Sequence, residues 1–343
     1  MELTNLTLEQ LGWRPFFDAQ ISSGEDAGAH PARVMAVHRG KIVVAGAGSM
    51  RDIQPRARDT DAAEDYPAVG DWVLVDDRTL EVRRILQREN LFKRRASGDD
   101  QKTQLIAANV DTLFIVASCN KDFNVARLER YLVLSREVAV QPVLVLTKTD
   151  LADDPSAFAA AARGLQQGVL VETVDARDPD SVARLAVWCG EGQTVALLGS
   201  SGVGKSTLVN TLRGSSSIAT QAIRKGDDTG RHTTTVREIH RLDRGGWLLD
   251  TPGMRELHLT DAAAGLAEVF DDIILAAQHC RFADCAHQVE PGCAVQAAIS
   301  DGTLAPARLD RWRGLTTEVT YNSASPAERR ALKRIGKAVA RRK

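Results

Sequence analysis

Two kinds of hydrophobic patterning divide the chain. Residues 30–95 contain short apolar or alternating runs, at 32–37, 41–45 and 71–75, separated by turns rich in Gly, Pro and Asp. Short runs bounded by such turns predict β-strands. We therefore expect a small β-barrel near the N-terminus, with the polar stretch 51–66 forming a mobile loop in it.

From residue 110 onward, continuous apolar runs alternate with amphipathic helical patterns. The apolar runs predict strands at 112–117, 142–146, 169–174 and 194–198, and the helical patterns lie at about 123–138, 156–167, 180–189 and 206–212. This alternation is typical of a parallel sheet covered by helices on both faces. The last 80 or so residues have helical patterns, so the fold class is a multi-domain α/β protein with domains expected at 1–98, 99–258 and 259–343.

A glycine-rich sequence follows the strand at 194–198 and leads into a helical pattern. It matches G-x-x-x-x-G-K-S in its expected strand–loop–helix context, with the residues Gly199, Ser200, Ser201, Gly202, Val203, Gly204, Lys205 and Ser206. Glycines allow successive backbone N–H groups to point at a β-phosphate, while the lysine adds a positive charge and the serine hydroxyl ligates Mg²⁺. Together with Thr207, these residues predict a phosphate- and Mg²⁺-binding loop.

Two downstream segments carry candidates for sensing a γ-phosphate. Asp250 ends an apolar strand and begins D-x-x-G, so its carboxylate is expected near Mg²⁺ and the N–H of Gly253 near the γ-phosphate. The polar run at 230–235 offers Thr234 as a further Mg²⁺ ligand, with Thr233 and Thr235 as alternatives. A run of threonines is also typical of an edge strand.

The sequence after the strand at 142–146 favours guanine over adenine. It reads Thr147, Lys148, Thr149 and Asp150, an [N/T]-K-x-D sequence at the end of a buried strand. One carboxylate at Asp150 accepts both the N1–H and the N2–H₂ of guanine, a donor pair that adenine lacks. Thr147 stands where most guanine-binding proteins have Asn, so a supporting amide is expected to be missing.

A second loop, after the strand at 169–174, is the candidate for supporting the base. It offers Asp175 and Ala176, although Asp175 departs from the commoner Ser. Because the base-reading sequence precedes the phosphate loop along the chain, the nucleotide-binding domain is expected to be circularly permuted. Its γ-phosphate sensor then leads directly into the C-terminal region.

Three cysteines and one histidine cluster near the C-terminus. Cys280, Cys285, His287 and Cys293 offer three thiolates and one imidazole, a closed set typical of a structural Zn²⁺ site. His279 is an alternative imidazole, although its adjacency to Cys280 makes it awkward for the same ion. An odd count of 5 cysteines in the chain fits a reduced, cytoplasmic compartment better than disulfides.

Charge and hydropathy limit the choice of partners. With 44 basic and 45 acidic residues, any contact with nucleic acid must use local basic patches. No apolar run approaches the ~18 residues of a membrane-spanning helix, so no membrane partner is expected. One candidate patch is the basic segment 329–343, and the other consists of Arg83, Arg84, Arg88, Lys93, Arg94 and Arg95. Either could equally be a solvated face.

The motifs in this order resemble those of the small ribosomal subunit biogenesis GTPases of the RsgA family, also called YjeQ. The resemblance covers nearly the whole chain, from the barrel-like segment through the permuted nucleotide motifs to the Cys/His cluster. It implies an OB-fold first domain, a zinc-binding helical third domain, GTP and GDP as ligands, and Mg²⁺. It also implies binding to the 30S subunit and its 16S rRNA late in maturation, with GTP hydrolysis stimulated by that subunit. The protein is expected to be a cytoplasmic monomer.

The expected reaction is in-line attack of water on the γ-phosphate, with Lys205 and Mg²⁺ neutralising charge. Met254 follows the D-x-x-G glycine, where many GTPases have the Gln that orients water, so slow intrinsic hydrolysis is expected. His232 or a bound partner could supply the missing group. A non-catalytic RNA-binding assembly factor and a phosphate-loop ATPase with a zinc domain remain open alternatives.

Overall fold

The computed structural model describes residues 5–38, 40–55, 63–95, 103–214, 237–250, 259, 262–324 and 328. By its internal contacts the chain divides into two units. The first comprises Met1–Phe123, Val138–Arg163 and Gly168–Leu257, and the second comprises Asn124–Glu137, Gly164–Gln167 and His258–Lys343. The architecture is mixed α/β, as the hydrophobic patterning predicts.

A short helix and five antiparallel strands form the N-terminal part of the first unit. They are α1 (Pro15–Asp18), β1 (Ala29–His38), β2 (Lys41–Gly46), β3 (Ser49–Ile53), β4 (Trp72–Asp76) and β5 (Val82–Ile85). β1 pairs with both β2 and β4, and the strands follow the order β3-β2-β1-β4-β5. Among the described residues β3 and β5 do not pair, so the sheet is not closed and the predicted barrel is only partly recovered.

Two parts of the polar stretch 51–66, residues 51–55 and 63–66, are described by the structure. The first three residues of the stretch lie in β3, where Ile53 is buried and pairs with Ile42 of β2. Residues Ala63–Asp65 form a 3₁₀ turn. The expectation of a loop beginning at Arg51 was therefore wrong, because one apolar residue at the strand end is enough to fix its register.

An antiparallel hairpin follows, formed by β6 (Leu91–Arg95) and β7 (Thr103–Ala108). Gly70 lies against it: a Cβ there would lie 2.2 Å from the carbonyl oxygen of Ala108, and its φ is +90°. Only glycine allows this close approach without strain. The domain boundary expected at residue 98 falls in the sequence between β6 and β7.

The predicted parallel sheet is present. Its strands are β8 (Thr112–Ser118), β9 (Gln141–Thr147), β10 (Leu170–Thr173), β11 (Thr194–Leu198) and β13 (Trp247–Asp250), in the order β10-β9-β8-β11-β13. β12 (Arg237–Arg241) pairs antiparallel to β13 and also to β1. The parallel strands end at one edge of the sheet, where ligands bind in open α/β folds.

Besides α1, the helices described in the first unit are α3 (Pro155–Arg163), α4 (Pro179–Val182) and α5 (Lys205–Leu212). One apolar core joins α4 and α5 to the parallel strands through residues that include Phe114, Val145 and Leu208. The helix expected at 180–189 is shorter than predicted, since a 3₁₀ turn, Ala183–Trp188, follows α4.

A fully buried cation joins β1 to the beginning of β11. The guanidinium of Arg33 donates to the carbonyl oxygen of Leu11 at 2.5 Å and to the Thr194 hydroxyl at 2.6 Å. Burial lowers the pKa of Arg33 to about 10. The strand that leads to the glycine-rich loop is thereby tied to the N-terminal strands.

The second unit is helical. It contains α2 (Val125–Glu137), α6 (Ala263–Val269), α7 (Asp271–Ala277), α8 (Ala294–Ser300) and α9 (Pro306–Ser323). Gly265 of α6 packs so closely on α2 that a Cβ would lie 2.5 Å from the carbonyl oxygen of Val133. Glu129 of α2 is completely buried and accepts hydrogen bonds from Arg308 and Arg311 of α9, at distances of 2.6 to 2.9 Å. Its partner Arg308 also pairs with Asp272 of α7.

Candidate nucleotide site and metal centre

The glycine-rich loop lies between β11 and α5, as predicted. Gly199 follows β11, and a Cβ at this position would lie 2.4 Å from the carbonyl oxygen of Val116 on β8. Gly202 and Gly204 have φ of +78° and +96°. A loop with this backbone can turn its N–H groups toward an anion at the start of α5.

Lys205 and Ser206 open α5. The ammonium of Lys205 donates to the carbonyl oxygen of Gly199 at 2.8 Å and also to that of Ser200. The cation is therefore held over the loop, near the backbone that would receive phosphates. Ser206 is exposed, so its hydroxyl is accessible to an ion.

The strand that carries the base-reading sequence meets this loop directly. Thr147, the last residue of β9, is completely buried, and its hydroxyl donates to the carbonyl oxygen of Val203 at 2.5 Å. Ala117 on β8 offers a second acceptor at 3.2 Å. The buried hydroxyl of Thr147 thereby joins the end of β9 to the glycine-rich loop.

A tight turn follows Thr147. Lys148 has a left-handed backbone with φ of +57°, and Thr149–Leu151 form a 3₁₀ turn that contains Asp150. A non-glycine residue in this conformation is uncommon and is frequently found at functional sites. The turn brings Asp150 beside the loop after β10.

The loop after β10 contains Asp175 and Ala176. The carbonyl oxygen of Ala176 accepts a hydrogen bond from Thr211 of α5 at 2.6 Å, and the backbone N–H of Asp175 donates to Ser181 at 3.0 Å. This loop is therefore anchored to the helix that begins at the glycine-rich loop. All three candidate segments are brought together at the carboxyl edge of the parallel sheet.

Arg177 belongs to this cluster and was not predicted from the sequence. Its guanidinium pairs with Asp150 and with Asp175. The signal that could have identified it is its position two residues after Asp175, in the loop expected to support the base. Charge pairing across 27 residues leaves no local pattern in the sequence.

Several predicted residues lie outside what the structure describes. They are His232, Thr233, Thr234 and Thr235 of the threonine run, together with Gly253 and Met254. For Asp250 the structure describes the backbone, which ends β13 and pairs with Glu238.

The Cys/His residues converge as predicted. The ligand atoms of Cys280, Cys285, His287 and Cys293 all lie within 4.8 Å of one another. The Cys280 sulfur is 3.5 Å from the His287 Nδ1 and 3.9 Å from the Cys293 sulfur. Tetrahedral zinc with thiolate and imidazole ligands has its ligand atoms roughly 3.3–3.8 Å apart. The cluster is therefore compatible with a zinc ion.

The candidate ligands differ in the direction of their pKa shifts. Burial raises the pKa of Cys285 to about 11. Burial acts to raise the pKa of Cys280, but hydrogen bonds from the N–H groups of Ala294 and Val295 hold that pKa below its usual value. Burial lowers the pKa of His287, which favours the neutral imidazole that binds metals. Burial also raises the pKa of Cys119 to about 11 and that of Cys189 to about 12, and both buried thiols stand outside the cluster.

Residues outside the cluster contact both the backbone and the ring of His287. The carbonyl oxygen of His287 accepts hydrogen bonds from Gln296, at 2.5 Å, and from Arg313. Trp312 of α9 lies beside the imidazole, with ring centroids 5.8 Å apart. His279, the alternative imidazole, is exposed and stands outside the cluster of candidate ligands in the described residues.

Comparison with known proteins identifies the family. A family model described as RsgA GTPase matches residues 85–260. The small ribosomal subunit biogenesis GTPase RsgA 2 of Vibrio parahaemolyticus is 48% identical over 334 residues, covering 96% of this chain and 91% of that protein. The small ribosomal subunit biogenesis GTPase RsgA of Mesorhizobium japonicum is 49% identical over 320 residues, covering 92% of this chain and 91% of that protein.

The chain belongs to the RsgA GTPase family. Two solved structures share its fold. YjeQ from Thermotoga maritima has a TM-score of 0.62 and 24% identity, covering 85% of this chain and 99% of that one. YloQ, described as a circularly permuted GTPase, has a TM-score of 0.58 and 25% identity, covering 89% of this chain and 100% of that one. The permuted motif order and the hydrolase activity inferred from the sequence are those of this family.

The basic run at 83–95, one of the two candidate patches, forms ion pairs within the fold. Its cations are paired within the first unit: Arg83 with Asp76, Arg84 with Asp26, Arg88 with Asp71 and Lys93 with Glu64. The sequence places only Glu89 within the run, whereas these carboxylates come from elsewhere in the fold. Most of the run therefore stabilises the N-terminal strands, and the second candidate patch, residues 329–343, lies outside the described residues.

In the described parts of the chain, no helix is both long enough and apolar enough to cross a membrane.

Proposed function

We propose that this RsgA-family GTPase binds the 30S ribosomal subunit through 16S rRNA and assists its late maturation, with GTP hydrolysis stimulated by the subunit and coupled to release. The relatives named above are small ribosomal subunit biogenesis GTPases, and they align with nearly the whole chain. The observation that carries the nucleotide half of the proposal is the hydrogen bond from Thr147 to Val203, because it joins a base-reading strand to a phosphate loop.

In the proposed nucleotide complex, the loop from Gly199 to Thr207 binds the phosphates. Lys205 neutralises charge on the β- and γ-oxygens, and Asp150 accepts the N1–H and N2–H₂ of guanine while Lys148 lies along the base. Thr149 and Ala176 complete the base pocket. Oxygen ligands suit Mg²⁺, for which the candidates are Ser206, Thr234 and Asp250, and the bound ion would neutralise developing phosphate charge.

Water orientation is proposed to depend on His232 or on the bound subunit, since Met254 has no useful hydrogen-bonding group. Slow intrinsic hydrolysis and strong stimulation follow from that assignment. An unchanged stimulated rate in His232→Ala would exclude this residue.

The four clustered ligands are proposed to hold one structural Zn²⁺ in a helical C-terminal domain. The N-terminal strands are proposed to form an OB-fold domain spanning residues 1–98, followed by the GTPase domain at 99–258. In this arrangement the segment after Asp250 leads from the nucleotide site into the zinc-binding domain, so nucleotide state can control release of the subunit. We further propose that the protein acts in the cytoplasm as a monomer.

The decisive experiment is cosedimentation with purified 30S subunits in the presence of GDP, GTP or a non-hydrolysable GTP analogue, run beside single-turnover GTP hydrolysis. We expect retention with the analogue, release after hydrolysis, and a rate raised by the subunit. Equal binding in every nucleotide state, without phosphate release, would favour a non-catalytic RNA-binding factor. Equal affinity for ATP and GTP would instead favour an ATPase.

A further inference from the structure

One guanidinium bridges two carboxylates at the proposed base pocket. Arg177 donates through Nη2 to Asp150, and through Nε to the Oδ1 of Asp175 at 3.4 Å. Its backbone N–H donates to the same Asp175 oxygen at 2.9 Å. The Nε–Nη2 edge, which commonly grips a single carboxylate, is therefore divided between two.

The positive charge of Arg177 offsets an extra negative charge that Asp175 brings to the base pocket. Where other guanine-binding loops have Ser, Asp175 adds a second negative charge beside the carboxylate that must read the base. Two neighbouring carboxylates repel each other unless a cation lies between them. Asp150 has to be ionised and correctly oriented to accept two N–H groups of guanine.

The geometry of the bridge leaves Asp150 able to bind the base. Arg177 contacts only the Oδ2 of Asp150, and a carboxylate offers about four lone-pair sites in total. The Asp150 side chain is 25% exposed, while the Arg177 side chain is 65% exposed. The carboxylate is thus partly accessible, and the Arg177 side chain that contacts it is largely exposed.

The bridge is fixed to the rest of the nucleotide site. Ala176, between the two bridging residues, accepts a hydrogen bond from Thr211 of α5. α5 itself begins with Lys205 of the phosphate loop. The backbone beside Arg177 is therefore anchored to the helix that begins at the glycine-rich loop.

We propose that Arg177 is a positioning residue for guanine specificity, which neutralises Asp175 and orients Asp150 toward the base. This inference rests on the proposed nucleotide site and concerns how that site selects guanine. It assigns to an arginine the support that a serine hydroxyl gives elsewhere, and it makes Asp175 and Arg177 a coupled pair.

The test is a double-mutant cycle read by GDP, IDP and ADP binding to the full-length protein. IDP lacks the N2 amino group of guanine. We expect Arg177→Ala to weaken GDP binding roughly tenfold and to reduce the preference for GDP over IDP, with ADP binding unchanged. Replacing Asp175 by Ser in the Arg177→Ala background removes the repelling charge and supplies a hydroxyl, so it should restore GDP binding to within about threefold of wild type.

A matched control is Arg184→Ala, which removes an exposed positive charge from the 3₁₀ turn Ala183–Trp188 of the same unit. It should leave GDP binding and the GDP-to-IDP ratio unchanged, and thermal melts should show that every variant is folded. GDP binding that is unchanged or tighter in Arg177→Ala, or a double variant as weak as the single one, would overturn the inference. Failure of the wild-type protein to prefer GDP over ADP would instead overturn the proposed function.

Discussion

The hydroxyl of Thr147 donates a hydrogen bond to the carbonyl oxygen of Val203, at 2.5 Å, inside a completely buried strand end. Replacing Thr147 by Val keeps the shape but leaves that carbonyl without its donor. A buried acceptor left unsatisfied costs about 1–3 kcal/mol, so we expect GDP affinity to fall by about five- to a hundredfold. Titration with a fluorescent GDP analogue measures this change.

Thr147→Ser keeps the hydroxyl and serves as the control, with near-wild-type affinity expected. If Val and Ser variants bind GDP equally well, the hydrogen bond does not support the phosphate loop.

Two glycines of the phosphate loop should respond differently to the same substitution. In Gly199→Ala the new Cβ would lie 2.4 Å from the backbone oxygen of Val116, so the loop must move and nucleotide binding should be lost. In Gly202→Ala nothing lies within 4 Å of the Cβ, and the cost is the left-handed backbone alone, about 1 kcal/mol. Parallel GDP titrations compare the two, and equal losses would contradict the steric explanation.

Metal content should depend on the clustered cysteines and not on the isolated ones. We expect metal analysis of the purified protein to give one zinc per chain, and Cys285→Ser to lose it, since a structural site needs all four ligands. Removing the zinc with a chelator should also lower the melting temperature, because binding energy of this kind contributes to folding. Cys189→Ser, outside the cluster, should retain the metal; loss there, or full retention in Cys285→Ser, would refute the assignment.

Acid should destabilise the N-terminal strands through Asp26. Hydrogen bonds from Arg84 and from the Ser22 backbone lower the pKa of Asp26 from 3.8 to about 2 in the folded protein. Its stabilising contribution is therefore fully present above the unfolded pKa and is lost as the pH falls through about 2. Urea unfolding between pH 5 and pH 2 should show a shallower pH dependence for Asp26→Asn than for wild type. If the free energy of unfolding changes with pH in the same way in both proteins, the Asp26–Arg84 pair does not contribute to acid sensitivity.

Neutralising the buried carboxylate of α2 should lower the free energy of unfolding far more than neutralising a partly exposed one. Glu129→Gln removes the charge that neutralises Arg308 and Arg311, and breaking a buried pair costs about 3–5 kcal/mol. Glu318→Gln removes the partner of Arg130, where both side chains are partly exposed, and should cost less than about 1 kcal/mol. Urea unfolding measures both, and similar losses would contradict this ranking.

The parallel sheet could be predicted because its strands are continuous apolar runs. The run at 194–198 matches β11 exactly in extent, and that at 112–117 falls one residue short of β8. The phosphate loop, the base-reading turn and the metal cluster could likewise be predicted from the sequence, because each is a motif of particular residue types at a short spacing.

Long-range charge pairing could not be read in this way. Arg84 and Asp26 are 58 residues apart, so a run that looks like a surface for RNA is largely neutralised within the fold. Arg177 was missed for the same reason. The loop predicted at 51–66 was wrong for its first three residues, because β3 gains its register by pairing with β2, where its single buried residue Ile53 lies opposite Ile42.

The burial of Glu129 also has a consequence for biosynthesis. This residue is made 179 positions before Arg308, yet its side chain is neutralised by α9. While the chain is being translated, α2 therefore carries a carboxylate with no cation to bury it, even though β8 and β9 on either side are already complete. Contacts of such large sequence separation form late and slow the folding of a domain. A chain cut short before α9 would consequently keep the contact of α2 with α6 but leave Glu129 without its two cations. An unpaired carboxylate at a buried position favours local opening, which makes a truncated product a ready substrate for proteolysis.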